Sequence, residues 1–294
     1  MGSMSGFFAW YELLTTDRAA AQAFYASVVG WGVQDASTPD LAYSRLEAGQ
    51  LAVAGLMELP PEARRLGAKP RWMGYVSVDV LDASARQIER LGGAVYVPPT
   101  TSNIGRIAVV ADPQGASFAL IERSERGQPG NDQPANDDNP NQPGLVGWHE
   151  LVAANSASAL AFYRAIFAWQ QLQTEDGPIQ SYRLFGAGGR TIGGMLDKRP
   201  VEPVPFWLFY FNVDDLDAAS GRVQAHGGQL FEGPFAVPGG SWIARYVDPQ
   251  GAIFALQGRR DPNRTEPSRG EEVSWSTEWG GISSRGRLLA RPLR

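Results

Sequence analysis

The chain has 294 residues, about twice the usual single-domain size, so two domains are the starting expectation. Hydrophobic residues make up 43% and charged residues 19%, enough to build real cores and too apolar for a disordered chain. The net charge of −5 supplies no basic field to hold DNA or RNA, the lack of cysteine excludes disulfides and thiolate chemistry, and only two histidines, His149 and His226, are present.

No apolar run approaches the ~18 residues of a membrane-spanning helix, and the start lacks a signal-peptide pattern. A cytoplasmic protein is expected, with a small-molecule ligand and without nucleic-acid or membrane partners. In chain order, residues 7–14 form an apolar, aromatic strand. Thr16 or Asp17 caps the helix that follows, and Gly30 ends it in a left-handed turn. Strands are expected at 43–47, 51–57 and 72–78. Asp79 or Asp82 opens a second helix closed by Gly92-Gly93, and strands return at 95–97, 106–111 and 117–122. Asp112-Pro113-Gln114-Gly115 carries the residues of a type I turn between the last two.

The whole pattern then repeats. Trp10-Tyr11-Glu12-Leu13 recurs as Trp148-His149-Glu150-Leu151, and Phe24-Tyr25 as Phe162-Tyr163. Trp31 recurs as Trp169, and Asp112-Pro113-Gln114-Gly115 as Asp248-Pro249-Gln250-Gly251. Two homologous halves, residues 6–124 and 145–259, are therefore expected, each with two β-α-β-β-β modules. The stretch 125–144 contains a run, 128–143, rich in Asn, Asp, Pro, Gln and Gly that reads as a flexible linker. Residues 260–294 form a basic tail.

The strand before the Phe-Tyr helix, the following Gly30-Trp31 or Ala168-Trp169, and the Asp-Pro-Gln-Gly hairpin carry a resemblance over nearly all of residues 6–259. The chain resembles tandem members of the vicinal oxygen chelate superfamily, the glyoxalase, bleomycin-resistance and dioxygenase type. The resemblance implies an α+β fold of four βαβββ modules forming two domains with curved mixed sheets. In metal-dependent members of that family, ligands fall at positions that correspond here to Tyr11 and His149, Met73 and Leu208, Ala119 and Ala255, and the strands at 53–57 and 192–196. Met, Leu and Ala do not ligate a divalent cation in place of His or Glu, so no metal and no cofactor are expected in either half.

With Tyr11 and His149 set at that register, strand alternation places Tyr11, Leu13 and Thr15 on the concave face, with His149, Leu151 and Ala153 their counterparts. By the same alternation Met73, Tyr75 and Ser77 face in, as do Leu208, Tyr210 and Asn212, and Ala119 and Ile121 pair with Ala255 and Gln257. The expected ligand site is thus His149, Tyr210, Asn212, Gln257 and Leu208 in the second half, with Tyr11, Tyr75 and Met73 in the first. His149 is the candidate general base or hydrogen-bond donor, against a bland role as a half-buried histidine bonded to a backbone carbonyl. Glu12 and Glu150 fall on the opposite parity, with Trp10 and Trp148, and read as buried acceptors for backbone, Tyr or Trp donors. Arg183, Arg190 and Arg245 read as solvated surface. The function that follows is metal-free binding of a small organic molecule for sequestration or sensing. The alternative is a glyoxalase-like lyase or isomerase, or a dioxygenase-type enzyme, around His149.

Overall fold

The computed structural model describes residues 5–122, 141–175, 182–200 and 202–260. Most of the expected linker, and the tail from residue 261, lie outside them. The elements run β1 (Phe8–Thr15), α1 (Arg18–Val29), β2 (Gly32–Asp35), β3 (Tyr43–Ala48), β4 (Leu51–Glu58), α2 (Pro61–Arg65), β5 (Arg71–Val78), α3 (Leu81–Arg90), β6 (Ala94–Ser102), β7 (Gly105–Ala111) and β8 (Ser117–Glu122). The second half repeats them as β9 (Val146–Ala153), α4 (Ser156–Phe167), β10 (Gln170–Glu175), β11 (Tyr182–Ala187), β12 (Arg190–Asp197), β13 (Phe206–Asp215), α5 (Leu216–Ala225), β14 (Gln229–Ala236), β15 (Trp242–Val247) and β16 (Ile253–Arg259).

Each half makes one eight-stranded mixed sheet, ordered β2-β3-β4-β1-β5-β8-β7-β6 and β10-β11-β12-β9-β13-β16-β15-β14. Within a sheet the two βαβββ modules join through their antiparallel first strands, β1 with β5 and β9 with β13. The fold is the α+β arrangement expected. Asp17 caps α1 through its side chain, which accepts from the Ala20 amide, and Gly30 closes the helix at φ 87°. Asn155 and Ala168 do the same for α4, Ala168 at the less comfortable φ of 56° for a residue with a Cβ. Neither Asp79 nor Asp82 caps α3. Its N-cap is Val80, and the Leu81 amide is taken instead by Glu122 Oε1 at 3.0 Å, from a strand forty residues on. Strand β2, whose four residues are all exposed at the sheet edge, and the one-turn helix α2 lacked any periodic signal.

One face of each sheet contributes to a single large core in which the helices of both halves take part. The repeated motifs are wired crosswise between the halves. Tyr25 of α1 donates to Asp248 of the second hairpin at 3.0 Å, and Tyr163 of α4 to Asp112 of the first at 3.2 Å. Trp72 and Trp207 donate to those same tyrosine hydroxyls at 2.9 and 3.0 Å. Trp31 Nε1 reaches the Gly144 carbonyl, and Trp169 Nε1 the Gly6 carbonyl, at 2.7 and 2.6 Å. Buried polar groups need partners, and here each half satisfies the other's. The opposite, helix-free faces carry separate apolar clusters, one per half. Among the described residues no helix is long and apolar enough to cross a membrane.

Candidate functional site

On the helix-free face of each sheet a small apolar cluster packs around a buried glutamate, and these two clusters are the first and second cup. In the first, Trp10 and Glu12 of β1, Tyr43 of β3, Met73 and Tyr75 of β5, and Ala119 and Ile121 of β8 come together, all nearly fully buried. Tyr43 donates to Glu12 Oε1 at 2.7 Å, Tyr75 to Oε2 at 2.5 Å, and Trp10 Nε1 to the Tyr43 hydroxyl at 3.2 Å. The second cup repeats this arrangement. Tyr182 donates to Glu150 Oε2 at 3.2 Å, Tyr210 to Oε1 at 2.9 Å, and Trp148 Nε1 to the Tyr182 hydroxyl at 2.8 Å. Its floor is Leu208, Tyr210 and Ala255, and Trp148, Phe206, Ile243 and Ile253 stand half-buried around it.

The cups differ in their cation. Arg245 on β15 is 8% exposed and sits among three carboxylates, at 2.5 Å from Glu150, 3.0 Å from Glu232 and 3.9 Å from Glu202. Arg199 closes the outer side of this cluster on Glu202 and Glu232. Burial opposes the charge of Arg245, but Glu150, Tyr210 and Glu232 outweigh it and hold the guanidinium protonated above its ordinary range. Strand pairing puts Val109 at the corresponding place in the first half: Arg245 faces Ala255, and Val109 faces Ala119. Among the described residues, Glu12 is therefore met by its tyrosines alone. Burial raises its pKa above the usual carboxylate value, although the Tyr75 and Tyr43 hydrogen bonds pull it back.

The eight residues expected to bind ligand fall in four places. Met73 and Tyr75 lie in the first cup, and Leu208 and Tyr210 in the second. Asn212 and Gln257 line a separate cleft of about 460 Å³ with Asn141, Pro143, Gly240 and Ser241. Tyr11 and His149 are in neither cup, which corrects the face assigned to them. They belong to the shared core, and the two equivalent side chains meet each other: the Tyr11 hydroxyl lies 2.5 Å from His149 Nε2. His149 Nδ1 lies 2.6 Å from the Ile192 carbonyl, and Phe8 stacks on the ring at 4.2 Å. Nδ1–H donating to the carbonyl leaves Nε2 to accept from Tyr11, the pairing a neutral ring requires. Burial lowers the His149 pKa to about 4, against the Ile192 hydrogen bond, which raises it.

The cup-facing residues of the first strand are thus Trp10 and Glu12, and Trp148 and Glu150, one position away from the expected register. Regular pairing sets this face, with Trp10 and Glu12 opposite Tyr75 and Met73, and Trp148 and Glu150 opposite Tyr210 and Leu208. An alternation argument has no means of detecting a one-residue slip. The expectation that both glutamates accept from tyrosines holds, but on the cup side. Arg245 is buried, contrary to its reading as solvated surface. Arg183 donates to Ser156 at 3.2 Å, and Arg190 lies over the Phe7 ring at 5.9 Å. His226 ends α5, its Nδ1 at 2.9 Å from the Arg222 carbonyl.

The donor sets do not fit a divalent metal. The first cup offers one carboxyl among Trp, Tyr, Met, Ala and Ile side chains. In the second, three carboxylates converge, but a guanidinium stands among them. No group of three or more His, Asp or Glu among the described residues is arranged to hold a metal ion.

Residues 146–256 match the profile of the Glyoxalase/Bleomycin resistance protein/Dioxygenase superfamily, and residues 11–121 that of a Glyoxalase-like domain. The protein named Putative glyoxylase CFP32 from Mycobacterium tuberculosis is 34% identical over 251 residues, covering 84% of this chain and 92% of its own. Anthracycline biosynthesis protein DnrV from Streptomyces peucetius is 28% identical, covering 84% and 91%. This chain belongs to the glyoxalase/bleomycin-resistance/dioxygenase superfamily, in two tandem copies. Solved structures share the fold. A Mn(II)-bound glyoxalase from Novosphingobium aromaticivorans has a TM-score of 0.58 at 15% identity, covering 87% of this chain and 83% of its own. Homoprotocatechuate 2,3-dioxygenase from Arthrobacter globiformis has 0.59 at 14%, covering 90% and 84%.

Proposed function

We propose that the chain binds a small, flat organic molecule in the second cup without a metal ion, in a sequestering or sensing role. The observation that carries this reading is the cup's build. Half-buried Trp148, Phe206, Ile243 and Ile253 surround an apolar floor, and its polar groups form one fixed cluster of Glu150, Tyr210 and Arg245. Apolar walls with a few placed polar groups are what a small-molecule site needs. The relatives named for anthracycline biosynthesis support a planar, polycyclic, phenolic ligand. The donor set argues against glyoxalase or dioxygenase chemistry of the metal-dependent kind. The competing enzyme reading centred on His149 loses its geometric basis, because that ring lies in the shared core beside Tyr11.

Calorimetric titration with 1,8-dihydroxyanthraquinone, in the presence and absence of a chelator, tests the proposal. Binding is expected in both conditions, and Trp148→Ala is expected to weaken it about three- to tenfold through lost stacking. Binding that appears only after adding Mn, Zn or Fe would overturn the metal-free reading. Binding unaffected by Trp148→Ala would remove the second cup as the site.

A further inference from the structure

We infer that the first cup is a second ligand site and that it takes small organic anions, an aryl carboxylate in the simplest case, through Arg71. The inference rests on how differently the two cups use arginine. In the second cup Arg245 is consumed by Glu150, Glu232 and Glu202. The first cup has no arginine at that position, but it has one elsewhere. Arg71 opens β5 two residues before Met73 and four before Tyr75, so alternation puts all three on the same face. Its cross-strand partner is Leu14, whose side chain packs on the first cup's apolar cluster. The corresponding position in the second half is Phe206, half-buried beside that cup.

Arg71 is half-buried and makes no ion pair or hydrogen bond among the described residues. Its Nε is enclosed and without a partner. A guanidinium in this state has lost hydration and gained no ion pair or hydrogen bond in return, an unusual condition for a partly buried charge. Its burial holds its pKa below the ordinary arginine value, with Tyr96 of β6 pulling it back up. The buried carboxyl of the cup, Glu12, has both carboxylate oxygens engaged by Tyr43 and Tyr75 rather than by Arg71, and Arg45, which shares the Tyr43 face by alternation, is paired with Glu47. A carboxylate or phenolate would meet the guanidinium's planar fork of donors, which matches two oxygens at once. The ligand's apolar body would then lie against Leu14, Met73, Ile104, Ile107 and Ile121. This site is independent of the second cup, so the two proposals stand or fall separately.

Isoleucine-methyl NMR on the full chain separates them, because Ile104, Ile107 and Ile121 report the first cup and Ile243 and Ile253 the second. The probes are benzoate and 2-naphthoate, each against its uncharged carboxamide. The carboxylates are expected to shift the first-cup methyls and to bind about tenfold tighter than the amides, a preference that Arg71→Met abolishes and Arg71→Lys partly keeps. An unchanged methyl spectrum of the free Arg71→Met variant checks its fold. Equal binding of acid and amide, a preference that survives Arg71→Met, shifts confined to Ile243 and Ile253, or no binding of any probe would each overturn the inference.

Discussion

Glu12 and Glu150 occupy equivalent positions and are served by equivalent tyrosine pairs, yet among the described residues only Glu150 has a cation. Removing that cation should leave a buried carboxylate uncompensated. Arg245→Met is expected to cost about 3–5 kcal/mol in chemical denaturation, and Glu150→Gln in the same chain should recover part of it, so a double-mutant cycle exposes the coupling. The Tyr11–His149 pair gives a pH prediction. The folded pKa of His149 is about 4, below the ordinary value of 6.5, so below pH 6.5 the unfolded chain binds more protons than the folded one. Stability from this group is complete above pH 6.5 and is lost as pH falls toward 4. Because the ring is only half-buried, the loss should be about 1–3 kcal/mol. Equilibrium unfolding at a series of pH values should show this decline flattened in His149→Gln. The identities of these residues, and their repetition, were plain in the sequence. Which of two adjacent side chains faced the cup was not, because that depends on which residues of β1 and β5, and of β9 and β13, stand opposite one another, a register set only in the fold.

At the scale of elements, the Asp-Pro-Gln-Gly hairpins do more than turn the chain. Asp248 Oδ1 accepts from the Gln250 and Ala252 amides at 3.0 and 2.8 Å, and Oδ2 accepts from Tyr25 of the other half. Asp112 repeats this with Gln114, Ala116 and Tyr163. Asp248→Ala strands two backbone donors and a tyrosine hydroxyl, and is expected to cost about 2–4 kcal/mol, against about 1–3 kcal/mol for Tyr25→Phe, which strands the Trp72 indole N–H. Measured together by denaturant titration, the two should be less than additive, since they share one hydrogen bond. Helix ends with local signals, such as Asp17 and Gly30, were legible in the sequence. The start of α3 was not, because its amide partner, Glu122, lies on β8 and only folding brings it near.

Over the whole molecule, the two halves share one core rather than owning one each. Their crossed hydrogen bonds and stacked rings predict a single cooperative unfolding transition by calorimetry. Residues 5–122 expressed alone should expose the Tyr25, Trp31 and Trp72 surface and bind a hydrophobic dye strongly. Two resolved transitions would contradict this. The interface is also tight at Gly74, where an added Cβ would come within 2.7 Å of the Phe8 and Phe209 rings. Gly74→Ala is therefore expected to cost about 1–3 kcal/mol, read from denaturant midpoints.

The internal repeat, the order of strands and helices apart from β2 and α2, the hairpins and the family were determined by the sequence alone. These rest on local patterns of apolar spacing, caps and turn residues, which short stretches of chain carry by themselves. The cup to which each first-strand residue turned, the burial of Arg245, the meeting of Tyr11 with His149 and the solitude of Arg71 were decided only by the tertiary structure. Each depends on strand register or on the approach of residues distant in the chain, and a register shift of one residue exchanges the two faces of a sheet while leaving the pattern along the strand almost unchanged.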